Sequence, residues 1–569
     1  MNPVRNFKVA SLLVGALSFA QAQTQGVHPG FTLTNLRPSG FDTQVSGLDF
    51  LPDGRLVVST WEGFSTTKAN VYIVSNAQTG DASKVTFKKF AGNLYEPLGV
   101  KVVDGKIYVL QKDQLSLLPD ANNDGVAETP EKLVSGWGIV AMTKSLEFAM
   151  GMVYKDNLFW GALATAWPFE TTASAERGCV ISMDIKARTW ENFACGTRTI
   201  DGMTLGPEGE LFGMENNGNW VPASKLLHFQ KGHFYGVHKD VPGPYDNVAE
   251  TPPAVWIEHG VVGISPTQPV YLKSGIYKGQ MIAGDNNLGT LQRYFLEKVG
   301  NDYQGAVFRF SGGLDAAANR IIEGPDSAIY IGGMGATADT WGGWAWNSKL
   351  YGLQRMAPNG TSRFDLLAVR SLGATTMELE FTEPVGTGAE TALNYTVKHW
   401  TYKPERTYGA GKSTTTNLTV SKATLSTDKK KVTLEIAGMK QKDVIYFKLS
   451  NVMSATGNLA PWSTEAWYTL KAIGPATPTT SVAPSVAVER KLPTFNARAL
   501  ADGKVAFQVA SVGDFTLEIR DPSGRLLETR TGVGPMEMTS SAAHRTGLLL
   551  VSVKDASGTA SKLVAPRGL

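Results

Sequence analysis

The chain repeats itself. Gly47 opens GLDFLPDGRLVVST, Gly99 opens GVKVVDGKIYVL, Gly151 opens GMVYKDNLFWGA and Gly202 opens GMTLGPEGELFG, at spacings of 52, 52 and 51 residues. Each copy is an apolar strand, a turn of Pro, Asp or Gly type and a second apolar strand, the signature of a β-hairpin. RIIEGPDSAIYIGG from Arg320 is a later copy, and PVYLKSGIYKGQMIAGDNNLGTLQRY from Pro269 fits a more divergent one, which brings the total to six. One such unit cannot bury both of its faces, so the units must stack and the stack must close. A period near 50 residues with strand–turn–strand units therefore predicts an all-β chain with a six-bladed β-propeller, here over residues 23–360.

The pattern changes near Gly360. Over residues 361–472, TMELEFTEPVG, ALNYTVKHWTY, KKVTLEIAGM, DVIYFKLSNV and EAWYTLKAI alternate apolar and polar residues, which predicts an Ig-like β-sandwich. Residues 473–490, rich in Pro, Thr, Ser and Ala, read as a linker, and residues 491–569 as a small C-terminal β-sandwich. Composition agrees with an all-β protein full of tight turns: 60 glycines among 569 residues, 42% hydrophobic and only 18% charged. The net charge of +3 gives no ground for a nucleic-acid partner. Ten of the 13 tryptophans fall between Trp61 and Trp346, so the propeller is where a ligand is expected to be handled.

The first residues, MNPVRNFKVASLLVGALSFAQAQ, carry a basic start, a short apolar run and the small-x-small site Ala20-Gln21-Ala22. This is the pattern of a secretory signal peptide over residues 1–22, with cleavage expected after Ala22. No later run is long enough for a transmembrane helix. Export implies an oxidising compartment, and the two cysteines, Cys179 and Cys195, each lie eight residues from Ala187 at the centre of a predicted hairpin. They are expected to face each other and form a disulfide contributing about 3 kcal/mol on loop-entropy grounds.

One local motif carries hard oxygens at metal-ligand spacing. DANNDGVAETPE, from Asp120 to Glu131, fits D-x-N-x-D-G-x5-E. Asp120, Asn122, Asp124 and Glu131 would supply side-chain oxygens, Val126 a carbonyl and Glu128 a direct or water-bridged contact. The flanks read as strands, so the expectation is a structural calcium loop in the propeller.

A second constellation spans Gly196 to His238. Gly196-Thr197-Arg198-Thr199-Ile200-Asp201-Gly202 precedes a strand–turn–strand unit, Phe234-Tyr235-Gly236-Val237-His238 follows it, and Arg320-Ile321-Ile322-Glu323-Gly324-Pro325-Asp326-Ser327-Ala328-Ile329-Tyr330 comes later. In order and spacing, over roughly residues 40–357, these motifs resemble the glucose/sorbosone dehydrogenase family, six-bladed propellers that use pyrroloquinoline quinone (PQQ). The resemblance implies that Arg198 faces the acidic cofactor, as a two-pronged guanidinium can, with Arg320 as a second anionic-group contact. Where the family has a catalytic histidine this chain has Ser145 to Gly151, and Glu147 is the base candidate there. Where the family has a cofactor-binding lysine this chain has Asn287. His233 and His238, on either side of Tyr235, are further candidates for acid–base work. Trp220, Tyr235 and the TWGGWAW tryptophans Trp341, Trp344 and Trp346 are candidates for stacking on sugar rings. Asp285 and Arg293 lie in the fifth unit without an assigned role, and Arg177 and Glu215 read as surface-pair residues. The end of the chain, TGLLLVSVKDASGTASKLVAPRGL, resembles the C-terminal sorting domains of type IX secretion cargo, through Gly547, Val551, Val553, Lys562 and Arg567. That implies secretion machinery as a partner and the medium or cell surface of a Gram-negative bacterium as the destination.

The expected function is that of a secreted, monomeric sugar or aldose dehydrogenase using PQQ and calcium on a carbohydrate. The alternatives are a non-redox propeller that binds or modifies carbohydrate without the cofactor, and a surface adhesion protein.

Overall fold

The computed structural model describes residues 26–64, 66–139, 146–166, 172, 174–335, 350–473, 495–500, 504–521, 525–540, 549–555 and 558–564. The signal peptide, most of the linker and the TWGGWAW segment with Trp341, Trp344 and Trp346 lie outside the described residues. Among the described residues there is no α-helix, and no helix is long and apolar enough to cross a membrane.

Six antiparallel four-stranded blades form the propeller. Their inner strands are Gln44–Phe50, Gly99–Val103, Ala149–Lys155, Ile200–Leu205, Pro266–Tyr271 and Ala317–Glu323, for blades 1 to 6. Each inner strand neighbours the next and the sixth neighbours the first, so the ring closes around a central channel. Closure uses the N-terminus: Phe31–Asn35 pairs with Tyr351–Pro358 as the outer strand of blade 6. Apolar side chains of adjacent blades meet in wedges, such as Val57 and Val71 of blade 1 with Val100, Val109 and Leu118 of blade 2.

The repeat glycines sit where this ring is tightest. A Cβ on Gly202 would lie 2.2 Å from the Gln268 Cα of the next blade, and one on Gly99 2.8 Å from the Met152 Cβ. Gly151 adds a left-handed backbone, with φ at +62°, to a 2.9 Å approach of the Met203 nitrogen. The period of 51–52 residues is thus the imprint of strands converging on one axis.

The sandwich does not stand apart from the propeller. Blade 5 continues through its outer strand Asp302–Ser311 into Glu465–Leu470, Asp443–Leu449, Tyr395–Trp400 and Thr416–Leu418, making one eight-stranded sheet. A second sheet, Leu366–Gly373, Thr376–Phe381, Lys431–Ile436 and Val420–Leu425, packs on it. Phe295, Ala306 and Phe308 of blade 5 share a core with Leu379, Val432, Ile445 and Tyr468 of the sandwich. At this seam the buried Arg293 donates to the Leu366 and Leu367 carbonyls and pairs with Asp365 at 3.2 Å, both side chains fully buried. Arg293 therefore holds two parts of the fold together.

Residues 480–569 form a separate unit. Val505–Arg520 pairs with Phe495–Ala499, Leu526–Thr539 and Leu549–Asp555, and Gly558–Val564 completes a five-stranded sheet. The long central strand shifts register between Val509 and Gly513, so it bends, and Val505, Phe507, Phe515, Leu517 and Val551 enclose a core of their own.

Cys179 and Cys195 are bonded, as expected. The hairpin is not symmetric about Ala187, however. Asp184 pairs with Thr189, and one extra residue, Phe193, bulges out between Ala194 and Asn192. That bulge is what brings Cys195 opposite Cys179.

Candidate functional site

Inner strands start, and second strands end, at the same end of the channel, here called the mouth. Five of the six inner hairpins carry a bulge near this end, at Val45/Gly47, Met150/Val153, Ile200/Gly202, Pro266/Pro269 and Ala318/Arg320. A bulge leaves one residue unpaired and re-aims its side chain. In blade 4 that residue is Asp201, since Ile200 faces Glu215 and Gly202 faces Met214.

Asp201 is half-buried, and protein surrounds its carboxyl. Burial pushes its carboxyl up to about 7; Arg320 and Arg198 oppose this, and Glu215 and Asp285 add to it. A carboxyl titrating near neutrality can hold or release a proton under ordinary conditions. The side chain stood inside the Gly196–Gly202 motif without an assigned role. Its signal was available in the repeat: the residue before the repeat glycine is Ser46, Leu98, Met150 and then Asp201.

Around Asp201 the donors and acceptors fall into two sets. Glu215, fully buried, accepts from the Arg198 and Thr199 backbone N–H groups at 3.1 and 2.7 Å. Asp285 accepts from Ile264, Ser265, Asn287 and Leu288 N–H groups at 2.7–3.0 Å. Both carboxylates fix loops and have little capacity left for a ligand. A second set is unpartnered. Asn216 Oδ1, Asn286 Oδ1 and Thr197 Oγ1 are buried and have no hydrogen-bond partner. Arg198 donates to the Asn217 carbonyl at 3.1 Å, and among the described residues no carboxylate lies within 4 Å of its guanidinium. His259, exposed in the loop between blades 4 and 5, is within electrostatic reach of Asp285; burial by its surroundings lowers its ring and Asp285 partly restores it. No sequence motif marks His259.

The other sequence candidates are dispersed. Arg320 is used up on carbonyls: Nε donates to Ser46, Nη1 to Asn319 and Nη2 to Leu98, which clamps blades 6, 1 and 2 together at the axis. Asn287 sits in the blade 5 loop at the mouth, donating its backbone N–H to Asp285. Glu147 is fully buried before the inner strand of blade 3, where its carbonyl accepts from Arg177 at 2.9 Å. Arg177 and Glu215 are both buried at 0% exposure, so the surface-pair reading of these two is corrected. Tyr235 is also corrected: it is a core residue whose hydroxyl donates to the His228 carbonyl, out of reach of any ligand. His233 bonds Thr251 at 3.0 Å at the outer edge of blade 4, away from the mouth. His238 packs edge-on against Trp220 and beside Phe234, with ring centroids 4.9 and 4.8 Å apart. At the opposite end of the channel, a cavity of about 760 Å³ is lined by Asp49, Lys101, Tyr154, Lys273 and Glu323 among others, and by none of the sequence candidates.

Two implied groups can be tested against these residues. In the 120–131 loop, Asp120, Asn122 and Asp124 accept from the Gly125, Asp124 and Val126 N–H groups, and Glu128 from Ala121. Lys88 donates to the Asp124 carbonyl, Glu131 turns out to Arg188 at 2.6 Å, and Val126 is exposed. Asp120 Oδ1 is left buried without a partner, while the loop's other contacts go to its own amides and to two cations; among the described residues no group of three or more acidic, His or Cys side chains is placed to hold a metal. With Glu131 turned to Arg188, this donor set is incomplete for calcium. A quinone tricarboxylate needs several free cationic donors. The mouth offers Arg198, whereas Arg320 is engaged, Asn287 stands in place of a lysine, and Asp201, Glu215 and Asp285 crowd the site with acid groups. The residues present do not fit PQQ.

Comparison with known proteins gives a partial family match and distant structural likenesses. Residues 43–253 match a family model described as a domain of unknown function, DUF7133. No curated protein matches the chain. Among solved structures, a glucose dehydrogenase-type putative oxidoreductase of Thermus thermophilus aligns at 14% identity and TM-score 0.44, over 57% of this chain and all of that one. The PQQ-bound aldose sugar dehydrogenase of Streptomyces coelicolor aligns at 14% and 0.41, over 58% and 99%. The PQQ domain of pyranose dehydrogenase from Coprinopsis cinerea aligns at 12% and 0.41, over 59% and 98%. The chain is thus similar, at low identity, to sugar dehydrogenase-like propellers.

Proposed function

We propose that this protein is an exported propeller that binds a hydroxyl-rich, carbohydrate-type molecule at the channel mouth between blades 3 and 5, without a quinone cofactor. The observation that carries this reading is the set of buried oxygens with no partner, Asn216 Oδ1, Asn286 Oδ1 and Thr197 Oγ1, beside Arg198 and Asp201. Buried oxygens left unpaired cost about 1–3 kcal/mol each, and hydroxyl groups of a ligand would recover that cost once a side-chain turn brought these oxygens to the channel. Asp201, near neutrality, and His259 give the site a proton acceptor and donor, which acid–base modification of a sugar requires. Export rests on the signal-peptide pattern of residues 1–22, and delivery by secretion machinery on the C-terminal module.

Quinone-dependent sugar oxidation is a second reading. One observation favours it: the Arg198 guanidinium has no carboxylate partner among the described residues. One experiment separates the two. Calorimetry with glucose, xylose and cellobiose is run beside reconstitution with PQQ and calcium and an artificial electron acceptor. Sugar binding without dye reduction supports the first reading, and PQQ-dependent dye reduction supports the second. Protein that neither binds a sugar nor reduces the dye refutes both.

A further inference from the structure

The sandwich has two connections of 15 residues between its strands, 450–464 and 401–415, and the second, TYKPERTYGAGKSTT, lies between Tyr395–Trp400 and Thr416–Leu418. A loop of this length in a compact domain usually has a task. It runs back over the mouth and is fixed to blade 4 backbone to backbone: Trp220 N–H donates to the Glu405 carbonyl at 2.8 Å and Gly409 N–H to the Gly218 carbonyl at 3.1 Å. Asn219 Nδ2 donates to the Arg406 carbonyl at 3.0 Å, and Arg406 holds Asp240 by two parallel bonds of 2.9 and 3.0 Å. Lys412 pairs with Glu258, next to His259. The approach needs glycine. A Cβ on Gly218 would lie 2.2 Å from Arg198 Nε, and Gly409 takes a left-handed backbone at φ +59°.

The result is that Tyr408, a sandwich residue, places its ring 5.4 Å from the Arg198 guanidinium. As a residue Tyr408 is 37% exposed, and its hydroxyl is raised by burial, with Arg198 lowering it and Asp201 adding to the rise. A rigid aromatic ring against a guanidinium, on a part-exposed residue and beside a proton-holding carboxyl, suits stacking on a sugar ring. Trp220 is not the platform, since its ring packs on His238 and its backbone anchors the loop.

We propose that residues 401–415 form a fixed wall of the mouth and that Tyr408 is the specificity-determining residue on which the carbohydrate stacks, so that the site is incomplete without the sandwich. The stacking rests on the carbohydrate reading above; the wall does not. The test uses full-length protein, Tyr408→Ala, Tyr408→Phe, and a variant in which residues 403–411 become a Gly/Ser linker. Glucose and cellobiose binding are measured by calorimetry, and Arg198 modification by phenylglyoxal is followed by peptide mass spectrometry without sugar. Tyr408→Ala should weaken binding by about tenfold or more while Tyr408→Phe stays near wild type. Arg198 labelling should rise severalfold in Tyr408→Ala and more in the linker variant. Unchanged Arg198 labelling in both overturns the wall, and unchanged sugar affinity in Tyr408→Ala overturns the stacking role. Wild-type protein that binds neither sugar sinks the carbohydrate reading and the stacking with it, and the labelling still decides for or against the wall.

Discussion

His28 gives a pH-dependent stability that can be worked from its hydrogen bonds. Its Nδ1 accepts from the Gly30 N–H at 3.0 Å, so the proton of the neutral ring is on Nε2, which donates to Tyr277 Oη at 3.0 Å. Tyr277 in turn donates to Asp365 Oδ2 at 2.8 Å. A second ring proton would have to sit on Nδ1, facing the Gly30 N–H, in a pocket that also holds Arg293. Burial and then Arg293 and Arg363 lower the ring from 6.5 to about 3. The unfolded chain therefore takes up a proton that the folded chain refuses, and the linked stability is complete above about pH 6.5 and is lost as pH falls. At 1.36 kcal/mol per pH unit, the loss reaches about 2 kcal/mol by about pH 5. The perturbation is His28→Phe, which keeps a ring among Phe31, Phe310 and Trp462 but cannot titrate. Urea unfolding of wild type and variant is compared from about pH 7.5 to about pH 5. The variant should be less stable at the upper end, having lost two hydrogen bonds, yet lose about 2 kcal/mol less on acidification. Parallel pH dependences in the two proteins would refute the neutral, buried ring.

Three further outcomes follow from the same reasoning. Asp201 has a folded-state carboxyl raised to about 7, so the folded chain holds its proton more tightly and stability falls as pH rises from about 4 to about 7; Asp201→Asn should remove that fall in a melting-temperature series. Asp365→Asn leaves Arg293 buried without its charge partner and should cost about 3–5 kcal/mol in urea unfolding, while Arg293→Met with Asp365→Leu should recover much of it. Gly202→Ala forces a methyl group to 2.2 Å from the Gln268 backbone and should destabilise by about 1–3 kcal/mol, whereas Gly373→Ala, with open space around it, should be near neutral.

The parts of this fold that were legible share a cause. A blade is a local object: four strands, consecutive in sequence, with hairpin turns between them, so its period survives in the chain as Gly47, Gly99, Gly151 and Gly202. Cys179 and Cys195 were legible for the same reason, although the bulge at Phe193 that sets their register was not. What escaped the sequence is pairing between distant segments. Nothing in FTLTN announces that it will close blade 6 against a strand more than 300 residues later. Nor does alternation in EAWYTL reveal that its free edge is taken by blade 5. The site inherits this division. Arg198 and Asp201 could be found inside a repeat unit, but their neighbours Asn286, His259 and Tyr408 come from a second strand end, an inter-blade loop and another layer of the fold.

The extension of blade 5 into the sandwich also bears on how the mouth keeps its shape. A loop as long as 401–415 would lose much conformational freedom on settling over a ligand site, at about 1–2 kcal/mol per ordered residue. Here its two ends leave from Tyr395–Trp400 and Thr416–Leu418, strands of the same sheet that contains the Pro266–Tyr271 inner strand of blade 5. The ends of the loop and one wall of the channel are therefore fixed by one hydrogen-bonded ladder, and Trp220, Asn219 and Gly409 need only hold the tip. Ordering Tyr408 over Arg198 is in this way completed when the chain folds, before any ligand arrives, and that is the condition under which a single aromatic face can contribute fully to affinity.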